Sequence, residues 1–359
     1  MLESSSFASL KRLYDANRFA ELIGSNDGIY WLKLRSISRK EQLQSICDRV
    51  GLGTAQVQTR NLFKFVFEQR PDESMVDDFI RTSYERERKQ RLRNENYLVS
   101  QLYQMKVFDW GGLYQNNLER TIVNNFIKKI QDWDELNRAI EDELHNSLQG
   151  YVRCSWYNHW SSILIEDIFK DHARVLPTIG LVKKIDFFIF DFPFDLKVTY
   201  FPVEYMKTLR RNKGLRPEFT ELKRFCRQSG IWFDNRKKEK LLLPELLMKV
   251  EELPKSSARE FLSDLRGVRS DIIKETLQDP TELKIWLYEN QGDRRFDAAN
   301  RFFLILIDLD NLEESWKLKR NKAVLHPVIT GHLDKMTEEA IGDLRIDFTW
   351  NDDVYETYS

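Results

Sequence analysis

Residues 183–200 read KKIDFFIFDFPFDLKVTY, and the reading of this stretch decides the fold. β-Branched and aromatic residues flank Asp191-Phe192-Pro193, the pattern of a strand, a tight turn and a second strand. Side chains alternate faces along a strand. Ile185, Phe187 and Ile189 therefore share one face, as do Phe194, Leu196, Val198 and Tyr200, and both faces demand burial. A two-residue loop at Asp191-Phe192 would place Phe190 opposite Pro193 and Asp186 opposite Lys197. Asp195 then becomes the diagonal neighbour of Asp186, within reach on the same face.

Two carboxylates and a lysine thus converge on one side of a hairpin whose other side is apolar. At close range the carboxylates repel each other unless a cation lies between them. Hard oxygen ligands of this kind suit Mg²⁺, which keeps several waters and prefers carboxylate plus phosphate oxygens. A neighbouring lysine can orient an attacking water and offset charge building on phosphorus. The chemistry that fits is metal-dependent phosphodiester hydrolysis.

At these residues the chain resembles the PD-(D/E)XK, or restriction-endonuclease-like, nuclease superfamily. Its pattern is an acid on one strand followed by an acid-x-Lys triplet on the next, here Asp186 and then Asp195-Leu196-Lys197. The resemblance implies an α/β fold: a restriction-endonuclease-like mixed β-sheet core flanked by helices. It implies that Asp186 and Asp195 bind Mg²⁺, with Mn²⁺ able to substitute. The Leu196 backbone carbonyl would add a ligand, and Lys197 would position the water. Many members add a Glu from the preceding helix, and Glu166 matches that position. Ile185 stands where the family pattern has proline. The implied activity is that of a type II restriction-enzyme-like endonuclease on double-stranded DNA, in restriction or antiviral defence, as a homodimer or with a partner protein of a defence complex. A non-catalytic DNA-binding or assembly subunit, and an RNase on the same core, are the rival readings.

Outward from the hairpin, residues 1–150 read as a mainly helical region for DNA or partner contacts, with helices over 79–105 and 118–130 and breaks at Gly51–Gly53 and Gly111-Gly112. Residues 151–330 hold the nuclease core, with a helical insertion at about 205–290. The apolar run 301–308 reads as a central strand covered on both faces. Residues 331–359 read as an acidic tail, partly disordered, since eight acids face two bases from Asp334 onward.

The whole chain of 359 residues carries 56 Lys plus Arg against 57 Asp plus Glu, which excludes a wholesale polycation. Yet residues 207–240 hold twelve Lys or Arg against four acids, and Lys317, Lys319 and Arg320 form a second cluster. Lys184 (by parity with Asp186), Arg210, Arg211, Lys213, Lys317, Lys319 and Arg320 are the candidate phosphate contacts, with Arg294, Arg295 and Asn300 as further ones. The ordinary alternative is a solvated strand end for Lys184 and a solvated helix face for the clusters. Five His and three widely spaced Cys are too few for a His-rich or Cys-rich multi-metal site and argue against a disulfide framework. The start lacks a signal-peptide pattern and no run is long enough to span a bilayer, so a cytoplasmic protein is expected, away from the membrane.

The acid-x-Lys triplet occurs four times in the chain, and only the Asp195 copy lies in a strand with a second acid across from it. The competing reading of Asp186 and Lys197 is a cross-strand ion pair. For Glu166 it is a salt bridge to Lys170, four residues on. His159 reads as a packed residue beside tryptophans. Phe225, Trp232 and Phe233 read as core.

Overall fold

The computed structural model describes residues 6–108, 122–180, 182–237, 239–290, 300–350 and 353–358. The hairpin forms from β2 (Phe187–Ile189) and β3 (Phe192–Tyr200). β1 (Val175–Pro177) pairs antiparallel with β2, and β4 (Asn300–Leu306) pairs parallel with β3, making a mixed sheet in the order β1-β2-β3-β4. The chain is thus mixed α/β and mainly helical.

The turn is Phe190-Asp191 rather than Asp191-Phe192. Phe187 pairs with Phe194, Phe188 with Pro193 and Ile189 with Phe192, so the expected pairing of Phe190 with Pro193 and of Asp186 with Lys197 is displaced by two residues. Both turn residues are left-handed, with φ of 47° at Phe190 and 68° at Asp191. That is the type I′ geometry, whose twist matches the flanking strands. A bulky phenylalanine rarely adopts it. Here tertiary contacts impose it: the Asp191 carboxylate lies 2.6 Å from Nζ of the fully buried Lys33, which also donates to Glu73 at 2.8 Å and Asp77 at 3.1 Å.

Six helices precede the sheet among the described residues up to position 108: α1 (Phe7–Asp15), α2 (Phe19–Ile23), α3 (Asn26–Ser36), α4 (Lys40–Arg49), α5 (Leu62–Gln69) and α6 (Glu73–Leu102). This bundle shares one core with the sheet, because Leu10, Trp31, Leu43 and Ile80 pack together with Leu176, Ile185 and Phe188. The boundary expected at 150/151 falls inside a helix. α7 (Trp133–Ala139) continues through a π-helical turn, Ile140–Leu144, into α8 (His145–Lys170). The segment expected over 118–130 lies partly outside the described residues, as Gly111-Gly112 does entirely; within it, Val123–Ile127 forms a π-helical turn.

Between β3 and β4 the insertion is helical as expected: α9 (Val203–Asn212), α10 (Glu218–Gln228), α11 (Glu239–Glu251), α12 (Ser256–Gln278) and α13 (Thr281–Asn290). β4 ends the sheet order instead of lying centrally. Its two-sided burial is nonetheless as the apolar run requires. Phe302 and Leu306 join Phe187, Phe194 and Leu196 against Ile165, Ile168 and Phe169 of α8 and Ile329 of α14 (Lys322–Lys335). Phe303 and Ile305 turn the other way, onto Met206, Ile273 and Leu287 of the insertion.

Within the acidic tail, expected to be partly disordered, the described residues hold α15 (Glu338–Gly342) and an antiparallel hairpin of β5 (Arg345–Trp350) and β6 (Asp353–Tyr358). The period-two alternation of Ile346, Phe348 and Trp350 with Arg345, Asp347 and Thr349 outweighs the acidic composition. Among the described residues no helix is long and apolar enough to cross a membrane.

Candidate active site

Asp195 and Lys197 stand two residues apart on β3, on the face opposite Phe194 and Leu196. Lys197 Nζ lies 2.6 Å from Asp195 Oδ1; the Asp195 side chain is almost fully covered and Lys197 reaches partly into solvent. Asp186 sits just beyond the end of the β2–β3 ladder. Its N–H donates to the Phe194 carbonyl at 2.8 Å, and its Oδ2 accepts the Leu196 N–H at 2.8 Å. Thr178 donates to the Asp186 carbonyl through both N–H (3.2 Å) and hydroxyl (2.8 Å), so the backbone at this acid is held from two sides. The pairing of the two acids survives the change of register because the displacement is by an even number of residues, which preserves the face.

Glu166, on α8, belongs to the same electrostatic group. Burial pushes the Asp186 carboxyl up to about 6, and the negative charges of Glu166 and Asp195 push in the same direction, against Lys170 and the Leu196 N–H. Glu166 also makes the expected salt bridge, accepting from Lys170 Nζ at 3.0 Å. The salt-bridge reading of Glu166 holds, and its charge bears on Asp186 as well.

Among the described residues no group of three or more His, Cys, Asp or Glu stands close enough to hold a metal ion by itself. Asp186 and Asp195 nonetheless fit a Mg²⁺ site of the kind completed by phosphate oxygens and water, which needs only one or two protein carboxylates. Their mutual repulsion at a covered site is the disfavoured state a divalent cation would relieve.

One residue at this site lies outside the sequence reading. Arg301 of β4 is in register with Asp195 on the adjacent parallel strand, and paired residues of parallel strands point to the same side. It is buried, with its guanidinium 4.8 Å from the Tyr288 ring centre, and its N–H donates to the Tyr288 hydroxyl at 3.0 Å. The available signal was a single arginine opening an otherwise apolar strand.

The candidate phosphate contacts scatter. Lys184 lies over the Phe19 ring at 4.9 Å, toward the N-terminal helices. Arg210 is buried in the insertion, where Nε donates to the Arg216 carbonyl at 2.7 Å. Lys213 pairs with Glu275 at 2.6 Å, Lys317 pairs with Glu314, and Arg211 is exposed. Lys319 is buried, donating to Asn158 Oδ1 at 2.9 Å. Arg320 is buried too and satisfies the C-terminal end of α6, donating to the carbonyls of Leu102 at 2.9 Å and Met105 at 2.7 Å. Arg294 and Arg295 lie outside the described residues. Asn300 Nδ2 donates to the Pro193 carbonyl at 3.0 Å. Of the aromatic residues expected in the core, Phe225 stacks on Phe261 and Phe233 is buried, whereas Trp232 is 79% exposed. His159 packs edge-on against Trp160.

Compared with models of known protein families, with curated proteins and with solved structures, the chain matches none.

Proposed function

We propose that the chain is a Mg²⁺-dependent nuclease of the PD-(D/E)XK kind, cleaving phosphodiester bonds at Asp186, Asp195 and Lys197. The observation that carries this reading is the covered acid pair with Lys197 Nζ 2.6 Å from Asp195. An order of helix, hairpin and later parallel strand, with α8 packed on the sheet, supports it as well. Asp186 and Asp195 would hold the cation, with the Leu196 carbonyl as a further donor; Glu166, paired with Lys170 as the residues stand, would have to leave that pair to join them. When bound, the cation supplies positive charge to a phosphate oxygen. Lys197 orients the attacking water and faces the negative charge that grows on the phosphate. Arg301, beside Asp195, adds a second fixed positive charge.

A specific observation favours a second reading. Lys197 on Asp195 and Lys170 on Glu166 already neutralise two of the three acids, so the cluster could serve as a metal-free element of a binding subunit. Incubation of plasmid DNA, and separately of RNA, with Mg²⁺ and with EDTA decides between them. The nuclease reading expects cleavage with Mg²⁺ only, lost in Asp195→Ala and Lys197→Ala. Undiminished cleavage by either variant would overturn the assignment, and salt-dependent binding with no cleavage of either substrate would favour the binding subunit.

A further inference from the structure

A groove of ≈ 700 Å³ opens between α6 and α8, walled by Tyr97, Trp156, Trp160 and Ile163 and rimmed by the amides of Asn94 and Gln101. Its floor is ionic but internally matched: Arg91 grips the buried Asp167 through two bonds, at 2.7 and 2.9 Å. The groove therefore asks for no net charge in what it binds. What it offers is flat π surface in water, with Tyr97 69% and Trp156 38% exposed, beside side chains that both donate and accept hydrogen bonds. That combination suits a nucleobase, whose face stacks and whose edge hydrogen-bonds. The volume is that of a small-molecule site.

The groove's position adds the second part of the argument. Ile163 and Glu166 are one turn apart on α8, and Glu166 and Lys170 both act on Asp186. At about 1.5 Å per residue, Trp160 lies roughly 9 Å and Trp156 roughly 15 Å along the helix from Glu166. Those spans are a few nucleotides of a strand. A base inside a duplex has both faces covered by its neighbours and cannot enter. We infer that the groove takes an unpaired base of the substrate strand within a few nucleotides of the phosphate held at Asp186 and Asp195, making the substrate single-stranded or locally unpaired nucleic acid. The placement of that phosphate rests on the proposed nuclease reading; the base site itself does not.

The test uses the full chain carrying Asp195→Asn, with fluorescein-labelled single-stranded DNA, single-stranded RNA and blunt duplex DNA of one sequence, read by anisotropy. Either single strand is expected to bind more tightly than the duplex, and comparison of the two tells which sugar is preferred. Trp156→Ala and Trp160→Ala should each weaken single-strand binding roughly tenfold, while Trp160→Phe keeps most of it. Circular dichroism checks folding, and the half-exposed Trp156 carries the test if Trp160→Ala unfolds. Equal losses on duplex and single strand, no loss on the single strand, or an alanine variant that instead converts a dimer to a monomer would each overturn the inference. The readout needs no cleavage, so failure of the nuclease reading leaves it legible. Conversely, a wild-type protein that cleaves duplex as fast as single strands, with Trp156→Ala unaffected, would sink the base site and leave the nuclease reading standing.

Discussion

Helix α8 carries carboxylates into two charged clusters, and they behave oppositely. On its Asp167–Asp171 side, Arg88 and Arg91 of α6 meet Asp167, Asp171 and Glu95, and Lys322 of α14 closes the set on Glu95. Burial alone would raise the Glu95 carboxyl, but hydrogen bonds from Lys322 and Arg88 outweigh it and hold Glu95 below its ordinary value. On the Glu166 side, Asp186 is pushed up to about 6 by burial and by two neighbouring acids. The first cluster is matched in charge and ties three helices together. In the second, Lys170 and Lys197 each face another acid, and Asp186 keeps the strain of burial beside like charge.

The sharpest break of this contrast is in activity. Asp195→Ala or Lys197→Ala should lower Mg²⁺-dependent cleavage on the order of 10²-fold or more, with the melting temperature little changed. Arg88→Met should do the reverse. Removing it takes one cation from the buried Asp167 and Glu95, which keep Arg91 and Lys322, and from Asp171, a loss of about 3 kcal/mol in urea unfolding, while cleavage per folded molecule persists. A stability loss at Asp195 as large as that at Arg88, with cleavage intact, would erase the distinction.

Asp186→Asn tests the sign of the imbalance. A carboxyl raised to about 6 in the folded state, against roughly 3.9 unfolded, binds more protons when folded between those values. Its contribution to stability is therefore greatest at low pH, falls as pH climbs through about 4 to 6, and stays a penalty above. Without divalent ions, Asp186→Asn should be more stable than the parent by about 1–2 kcal/mol near pH 7.5 and equal to it near pH 4. Mg²⁺ should raise the parent's melting temperature near pH 7.5 and leave the variant's unchanged. A variant less stable than the parent at both pH values would show that Asp186 is a structural anchor.

How much of this was legible in the sequence divides along the same line. Parity placed Asp186, Asp195 and Lys197 together because strand alternation is local and survives an even shift of register. The turn was misplaced because Phe190 at positive φ depends on Lys33, far away in the chain, holding Asp191. Glu166 was legible as a neighbour of Lys170 by helical spacing, but its action on Asp186 depends on how α8 packs on the sheet. The basic clusters misled for a related reason. A count of charges in 207–240 does not say that Arg210 is buried against Arg216 or that Lys213 already faces Glu275. The aromatic pair Trp156 and Trp160 was visible, whereas the groove needed α6 to supply its far wall.

Lys319 gives the mildest test, as a cation with no acid paired to it among the described residues. It is 7% exposed, it donates to the Asn158 amide oxygen, and burial pulls its amine down to about 8. The unfolded chain holds its proton up to roughly pH 10.4, so the cost of the buried charge is present below about 8 and fades as pH rises toward 10. Lys319→Met keeps the volume and removes the charge. It should stabilise the protein by about 1 kcal/mol near pH 7, with the gain shrinking near pH 10, in urea titrations at both values. Nucleic-acid affinity and its salt dependence should not move, since a side chain this covered cannot reach a phosphate. A fall in the salt dependence by about one phosphate contact would mean that Lys319 emerges on binding, and would return it to the surface that the substrate touches.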